Sequence, residues 1–434
     1  MKRRPTTDLS APRLIVHNLT LKGIENVPGI LDFDQRGLVF TRPRDVIVTK
    51  RLPDPAFLQY LTNLGWDFSR VTMLSPSSLK NYAYKSIFYD KQIIKKISHF
   101  PVTYIDTYQN THEEERFGKR IQLPVYASAK LGLTYGTKSG FRKLAKKLSL
   151  PVVRGYESVK SAKDVLSRVT QLFKTSAKRV VVKIDEGVSG AGQTLLHNET
   201  FLALSKKEQY EFITHAISKI PQFGKTSAVT IEEWVEGVVA SPSIQMEITP
   251  SGEIKILSMK DQILVGEEKW YIGCLYPVES VSAKQKKQIE TEARVFAATL
   301  KDKGFIGFLG LDTILLSDGS ILWVEANIRK PGTFYPRVIA EKLNKGTLRG
   351  ISYVACDFTI ASYKGKMFTD IAAFLKDFMY PIQGEKRGVI VYNTGALLDA
   401  GRFDLVCIGR SSDEAKELFQ RVKQRIEKEK QKGG

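Results

Sequence analysis

Residues 309–327, Leu-Gly-Leu-Asp-Thr-Ile-Leu-Leu-Ser-Asp-Gly-Ser-Ile-Leu-Trp-Val-Glu-Ala-Asn, put two carboxylates and an amide into a strand-turn-strand pattern. Asp318-Gly319 between two apolar runs is the favoured two-residue hairpin turn. With those two residues as the loop, Ser317 faces Ser320 and Asp312 lies directly opposite Glu325, Cβ atoms roughly 4.5–5.5 Å apart. Asn327, two residues on, shares the face of Glu325. Like charges in direct apposition are destabilising unless something positive lies between them. Two carboxylates and an amide oxygen are hard oxygen ligands, suited to Mg2+ held jointly with nucleotide phosphates. The plainer alternative is an exposed polar hairpin face, but Leu311, Leu322 and Val324 argue for a buried one.

A second signal is Lys183 inside the apolar run Val180-Val-Val-Lys-Ile184. A lysine there must either reach out to water or meet an anion. Directly after it, Gly187-Val-Ser-Gly-Ala-Gly192 offers three glycines. Their freedom lets backbone N–H groups approach a ligand as phosphate-cradling loops do. The loop is neither a Walker A sequence nor a dinucleotide-binding G-x-G-x-x-G opening a helix. By itself it could be a plain hairpin turn. The five histidines have no ligand spacing and no paired nucleophile, so His17, His99, His112, His197 and His215 read as structural or surface residues. Cys274 reads as a small apolar residue. Trp234 and Trp323 read as core or pocket wall.

The elements that would position these groups are legible in outline. Residues 13–17, 45–49 and 71–75 are short strand-like runs, and 54–64 reads as a helix opened by Pro55, which predicts a parallel α/β unit. Residues 78–130 are harder: a basic helical stretch near 91–96, then a loop of alternating sign at 110–119. Helix is expected over 141–148, strand over 178–184 and 230–235, and antiparallel strands at 243–249, 254–259 and 307–325. A long polar helix at 283–301 lies among these. The tail adds strands at 388–393 and 404–409. A charged helix with the capping pattern Ser411-Ser-Asp-Glu414 follows them.

Composition sets the limits. The chain has 434 residues, 42% hydrophobic and 26% charged, which fits several domains with large cores and excludes a disordered chain. Sixty-six Lys plus Arg against 46 Asp plus Glu gives a net charge of +20, favouring anionic partners. Three scattered cysteines with no C-x-x-C argue against a disulfide framework or structural zinc, and for a reducing compartment. The basic N-terminus has no apolar stretch behind it, and no run approaches 18 apolar residues, so a cytoplasmic protein without a membrane span is expected.

Taken in order, these pieces resemble the ATP-grasp superfamily, whose members include D-alanine–D-alanine ligase, biotin carboxylase and the RimK-type ligases. The resemblance covers roughly residues 131–345. It implies a mixed α/β (α+β) ATP-grasp fold with an N-terminal parallel α/β domain at 1–130. A lid and central subdomain at 131–235, an antiparallel metal-binding core at 236–347 and a small extension at 348–434 complete it. It also implies ATP and Mg2+, or Mn2+ in its place. Lys138, followed by a helix and Leu150-Pro-Val-Val-Arg-Gly155, looks like the first lysine region and Lys183 like the second. Gly187, Ser189, Gly190 and Gly192 look like the lid over the phosphates. Glu232, Glu233, Trp234, Val235 and Glu236 look like the hinge beside the adenine. Lys260 matches a lysine that approaches the phosphates. Asp312, Glu325 and Asn327 match the metal ligands, with Arg329 completing E-x-N-x-R as a catalytic group alongside Lys260. Where many members carry an acidic ribose ligand this chain has Val239, and Glu236 is the candidate substitute.

A narrower likeness is to the pheganomycin-type peptide ligases. It is visible in Ser258-Met-Lys-Asp-Gln262, Tyr271-Ile-Gly-Cys-Leu-Tyr-Pro277, Glu325-Ala-Asn-Ile-Arg-Lys-Pro-Gly332, the tail strands and Arg42-Pro-Arg-Asp-Val-Ile-Val48. The implied reaction is ATP-dependent coupling of a carboxylate to an amino acid or peptide amine through an acyl phosphate. An ATP-grasp kinase acting on a hydroxyl of an anionic small molecule is the alternative. A nucleic-acid binder is disfavoured, because no RRM, zinc-finger or helix-turn-helix signature is present. A homodimer stays open, and the identity of both substrates is not legible.

Overall fold

The computed structural model describes residues 8–19, 29–80, 83, 86–186, 193–218, 220, 223–225, 227–267 and 269–432. The expected glycine loop, with Gly187, Ser189, Gly190 and Gly192, lies outside the described residues.

The β-branched runs near the N-terminus form a four-stranded sheet. Its strands Arg13–Val16, Val46–Val48, Thr72–Leu74 and Tyr104–Thr107 all pair in parallel, with Arg13–Val16 between Val46–Val48 and Tyr104–Thr107. Fully apolar strands such as Val-Ile-Val need both faces covered, which is what parallel sheets provide. The helix Pro55–Asn63 starts where the sequence places it, with Pro at its first position and the Asp54 carboxylate accepting from the Ala56 amide.

One expectation fails here. Residues 110–119 are not a loop: His112–Ile121 is a helix. Its charges are sorted, not alternating, with Glu113, Glu114 and Glu115 in the first turn and Lys119 and Arg120 in the last. That order complements the helix dipole and is stabilising at both ends. Thr111 and Glu114 form a reciprocal capping box, and Phe117 anchors the inner face. Thr111→Ala is expected to lower stability by about 1 kcal/mol, read as a reduced denaturation midpoint. No change would mean that packing alone holds the helix.

The middle of the chain builds a four-stranded antiparallel sheet in the order Gly155–Val159, Val229–Glu233, Arg179–Ile184, Gln193–His197. The helices Ala162–Phe173 and Lys206–Ser218 bury Val165, Val169, Leu172 and Ile213 against it. The remainder forms a nine-stranded sheet running from Ile321–Asn327 through Gly307–Leu316, Pro242–Ile248, Ile254–Val265 and Trp270–Tyr276. The tail strands Ser352–Thr359, Arg402–Gly409 and Gly388–Asn393 continue that same sheet, since Ser352–Thr359 pairs with Trp270–Tyr276. The helix Ala283–Asp302 packs Ile289, Ala293, Phe296 and Leu300 under the hairpin end, and Ser412–Lys432 packs Leu418, Phe419 and Val422 under the tail end. Among the described residues no helix is long and apolar enough to cross a membrane.

Candidate active site

The hairpin carries the centre of the site, and its register repays a close look. Asp312 is paired with Glu325, as the turn residues predict. The route is different, however. Leu316 pairs with Ser320, so the loop holds three residues, with Gly319 at φ 85° in the left-handed region. That shifts every pair near the turn by one: Thr313 meets Trp323 and Ile314 meets Leu322. A bulge at Val324 then restores the register at Asp312. The bulge also brings Ile314, Val324 and Glu325 together on the wall of one cavity.

Asp312 is buried, and burial followed by the neighbouring Glu325 carboxylate pushes it up to about 7. Asn327 Nδ2 donates to Asp312 Oδ2 at 2.9 Å and to Glu325 Oε1 at 3.3 Å. Its Oδ1 accepts from Arg329 at 2.7 Å, and the other arm of Arg329 donates to the Tyr108 hydroxyl at 2.8 Å. The donor set fits a divalent cation: two close carboxylates whose repulsion a cation offsets, and an amide that presents its oxygen after a half-turn of its terminal torsion. Among the described residues no group of three His, Cys, Asp or Glu side chains makes a closed metal cage. An open set of this kind leaves coordination positions for phosphate oxygens and water.

The facing wall comes from the middle sheet. Lys183 sits on Arg179–Ile184 with its Nζ 2.6 Å from Glu232 Oε2, and Arg142 donates to the other Glu232 oxygen at 2.8 Å. Burial would raise the Glu232 carboxyl, but these two cations hold it below its ordinary value. Lys138 opens the helix Lys138–Lys147 and lines the same cavity, its ammonium disfavoured first by burial. Glu233, Trp234, Val235 and Glu236 line it too, beside apolar Val153, Val181 and Ile314. Glu236 is held by Arg179 at 2.8 and 2.9 Å, and Arg179 lies over the Trp234 ring. Val239 is 61% exposed and lies outside this wall.

Lys260 is placed apart from the others. Strand pairing puts it on the face of Ser243 and Asp312, yet it is fully buried and does not line the cavity. Its Nζ donates to the Thr333 carbonyl at 2.5 Å, and burial drives it down to about 7. Cys274 is a buried free thiol whose pKa burial raises, in keeping with its apolar reading.

The cavity, about 620 Å3, extends past Arg329 to residues the sequence did not flag: Phe33, Arg36, Tyr108, Asp357 and Arg402. A signal was available for two of them. Asp357 in Val-Ala-Cys-Asp-Phe358 and Arg402 at the head of Phe-Asp-Leu-Val406 are charges at apolar strands, the pattern that singles out Lys183.

A nucleotide-sized cleft between an antiparallel sheet and a metal-suited hairpin defines a class, and the comparisons agree. A pre ATP-grasp domain model matches residues 34–122 and an ATP-grasp domain model matches residues 141–333. The chain belongs to the ATP-grasp superfamily. It is similar to the L-propargylglycine–L-glutamate ligase of Streptantibioticus cattleyicolor at 22% identity over 94% of this chain and 92% of that enzyme. Two solved structures share the fold at 13% identity. The biotin carboxylase of Campylobacter jejuni, in complex with β,γ-ATP, superposes with a TM-score of 0.64 over 93% of this chain and 89% of that one. An N5-carboxyaminoimidazole ribonucleotide synthetase in complex with ADP superposes with a TM-score of 0.61 over 97% and 98%.

Proposed function

We propose that this chain is an ATP-dependent ligase that activates a carboxylate as an acyl phosphate and joins it to an amino acid or peptide amine. The observation that carries the reading is the Asp312–Glu325–Asn327–Arg329 cluster in the wall of a cavity that Lys138 and Lys183 also line. In this reading the apolar strip of Val153, Val181 and Ile314 takes the adenine beside residues 232–236, and the two lysines face the phosphates. Glu236, already bound to Arg179, is a weak stand-in for the ribose ligand. Lys260 acts from beneath the floor, fixing Thr333 where the cavity wall turns, and is a positioning residue. The glycine loop of 187–192 retains its proposed role as the lid, and the domain limits at 130, 235 and 347 are proposed with it.

Asp312, Glu325 and Asn327 would hold Mg2+, which when bound neutralises phosphate charge. The chain's own contribution is positioning and electrostatics, which is what phosphoryl transfer needs. A substrate carboxylate oxygen forms the bond to the γ-phosphorus as the P–O bond to the β-phosphate breaks with its electrons leaving on ADP, and Arg329 holds the carboxylate oxygens. The amine lone pair then forms the C–N bond, the C–O bond to phosphate breaks with its electrons leaving on phosphate, and the amine releases one proton. No His or Cys lines the cavity among the described residues, in keeping with a route that needs no protein nucleophile.

Amine-dependent ADP release, and a hydroxamate when hydroxylamine replaces the amine, are the expected results. ADP release with a phosphorylated hydroxyl and no hydroxamate would establish the kinase alternative. Lys183→Ala should weaken ATP binding by about ten- to a hundredfold, the loss of roughly 1.5–3 kcal/mol from one charge-assisted bond to phosphate. Titration calorimetry reads this directly, and unchanged affinity would remove Lys183 from the site.

A further inference from the structure

The cavity has a second charged end that the chemistry above does not use. Contacts lead to it from the metal-suited cluster in a fixed order. Arg329 bonds Tyr108, Tyr108 stacks on Tyr335, and the Arg36 guanidinium lies 5.7 Å from the Tyr335 ring. Arg36 and Arg402 then flank one ring, at 4.3 and 4.6 Å from the centre of Phe33. Each arginine is fixed by an aspartate: Arg36 Nε donates to Asp404 Oδ2 at 2.6 Å, and Arg402 pairs with Asp357. Asp404 is anchored in turn by Asn393 Nδ2 at 2.7 Å.

These aspartates engage only part of each fork. A guanidinium has five N–H donors. Arg36 meets Asp404 through Nε and Arg402 meets Asp357 through one terminal nitrogen. Arg402 Nε is buried with no partner among the described residues, as is Asp404 Oδ1. Both arginines line the cavity.

Resting on the ligase reading, we propose that Arg36 and Arg402 form a clamp for a second, non-reacting carboxylate, the free carboxylate of an amino acid or peptide acceptor whose amine points back toward Arg329. The reacting carboxylate belongs at Arg329 and the metal-suited pair, and the tyrosines separate that place from the clamp. An acceptor keeps its own carboxylate through amide formation, so a substrate of this class has a group to put there. The local charge selects the kind of anion. Two arginines matched by two aspartates leave no excess cation for a phosphate dianion, whereas a planar single-charge carboxylate suits the fork geometry of arginine. Asp357 and Asp404 are positioning residues that hold the two forks on either side of Phe33.

The test uses the full chain with MgATP, each proteinogenic L-amino acid as donor, and glycine, L-alanine, L-glutamate and glycylglycine as acceptors. Each acceptor is compared with its carboxamide, and ADP and amide are measured separately. The expected result is at least one acceptor whose carboxamide has a KM raised tenfold or more on the unaltered protein. Arg402→Gln should raise the KM of the free acid to that of the carboxamide, leave the carboxamide itself unchanged and keep the KM for ATP within twofold, with Arg402→Lys in between. Equal use of acid and carboxamide, an Arg402→Gln penalty shared by both forms, or no acceptor stimulating turnover would overturn the clamp. The ligase reading fails separately: ADP would form without amide, while the acid–carboxamide comparison still reports on the arginines.

Discussion

Asp312→Asn is expected to abolish turnover while making the metal-free protein more stable. Asp312 is buried and lies against Glu325, so its charge is disfavoured twice, by loss of water and by a like charge across the strand pair. Replacing it with an isosteric amide relieves a repulsion of about 1 kcal/mol, visible as a melting temperature in chelator raised by about 2 °C. The same change removes half the carboxylate charge of a site suited to a divalent cation, a contribution of several kcal/mol to phosphoryl transfer, or about a thousandfold or more in rate. Opposite signs for stability and activity distinguish a functional carboxylate from a structural one. Steady-state ADP release and thermal unfolding in EDTA check the two halves. Turnover that survives, or a melting temperature that falls, would defeat the assignment, as would full wild-type activity without any divalent cation.

Arg329→Ala should bind ATP almost normally and fail to make amide. The guanidinium is held before any substrate arrives, by the Tyr108 hydroxyl at 2.8 Å and the Lys330 carbonyl at 3.1 Å, and by Asn327 Oδ1 at 2.7 Å until that oxygen turns toward a cation. Lys330 is itself buried against Asp106 and the Thr107 carbonyl, so the strand Tyr104–Thr107 sets where this arginine stands. A preorganised donor acts most on charge that develops during reaction, and removing one costs about a hundred- to a thousandfold in rate. Lysine should not rescue the loss, because a single ammonium cannot span the Tyr108 hydroxyl, the Lys330 carbonyl and a substrate oxygen at once. Calorimetry with MgATP and single-turnover product analysis separate the effects. A large ATP loss in Arg329→Ala with amide formation otherwise unimpaired would show that the arginine serves the nucleotide instead.

Several features were determined by the sequence alone. Apolar runs of β-branched residues gave the parallel N-terminal strands, because such strands are stable only when covered on both faces. A lysine within Val-Val-Val-Lys-Ile had either to reach water or to meet an anion, and the structure decides for the anion, Glu232. The Asp312–Glu325 apposition also followed from local pattern, although by two features that cancel. The loop is one residue longer than Asp-Gly suggests, and the bulge at Val324 takes the shift back. Turn chemistry is local, but a bulge is chosen by what the strand must pack against.

Charge order misled the reading of 110–119, since sorted charges along a capped helix look like alternation when the cap is overlooked. Other features were decided only by the tertiary structure. Strand parity put Lys260 on the face of Asp312, but parity fixes a face and not a depth; the start of the helix Phe334–Leu343 covers the ammonium and leaves it on Thr333 instead of in the cavity. The meeting of Arg36 with Asp404, 368 residues apart, depends on tail strands extending the central sheet beneath the N-terminal segment. No local propensity encodes that distance. It is fixed by which sheet edge the tail covers to bury its apolar face, a choice that exists only once the rest of the core has formed.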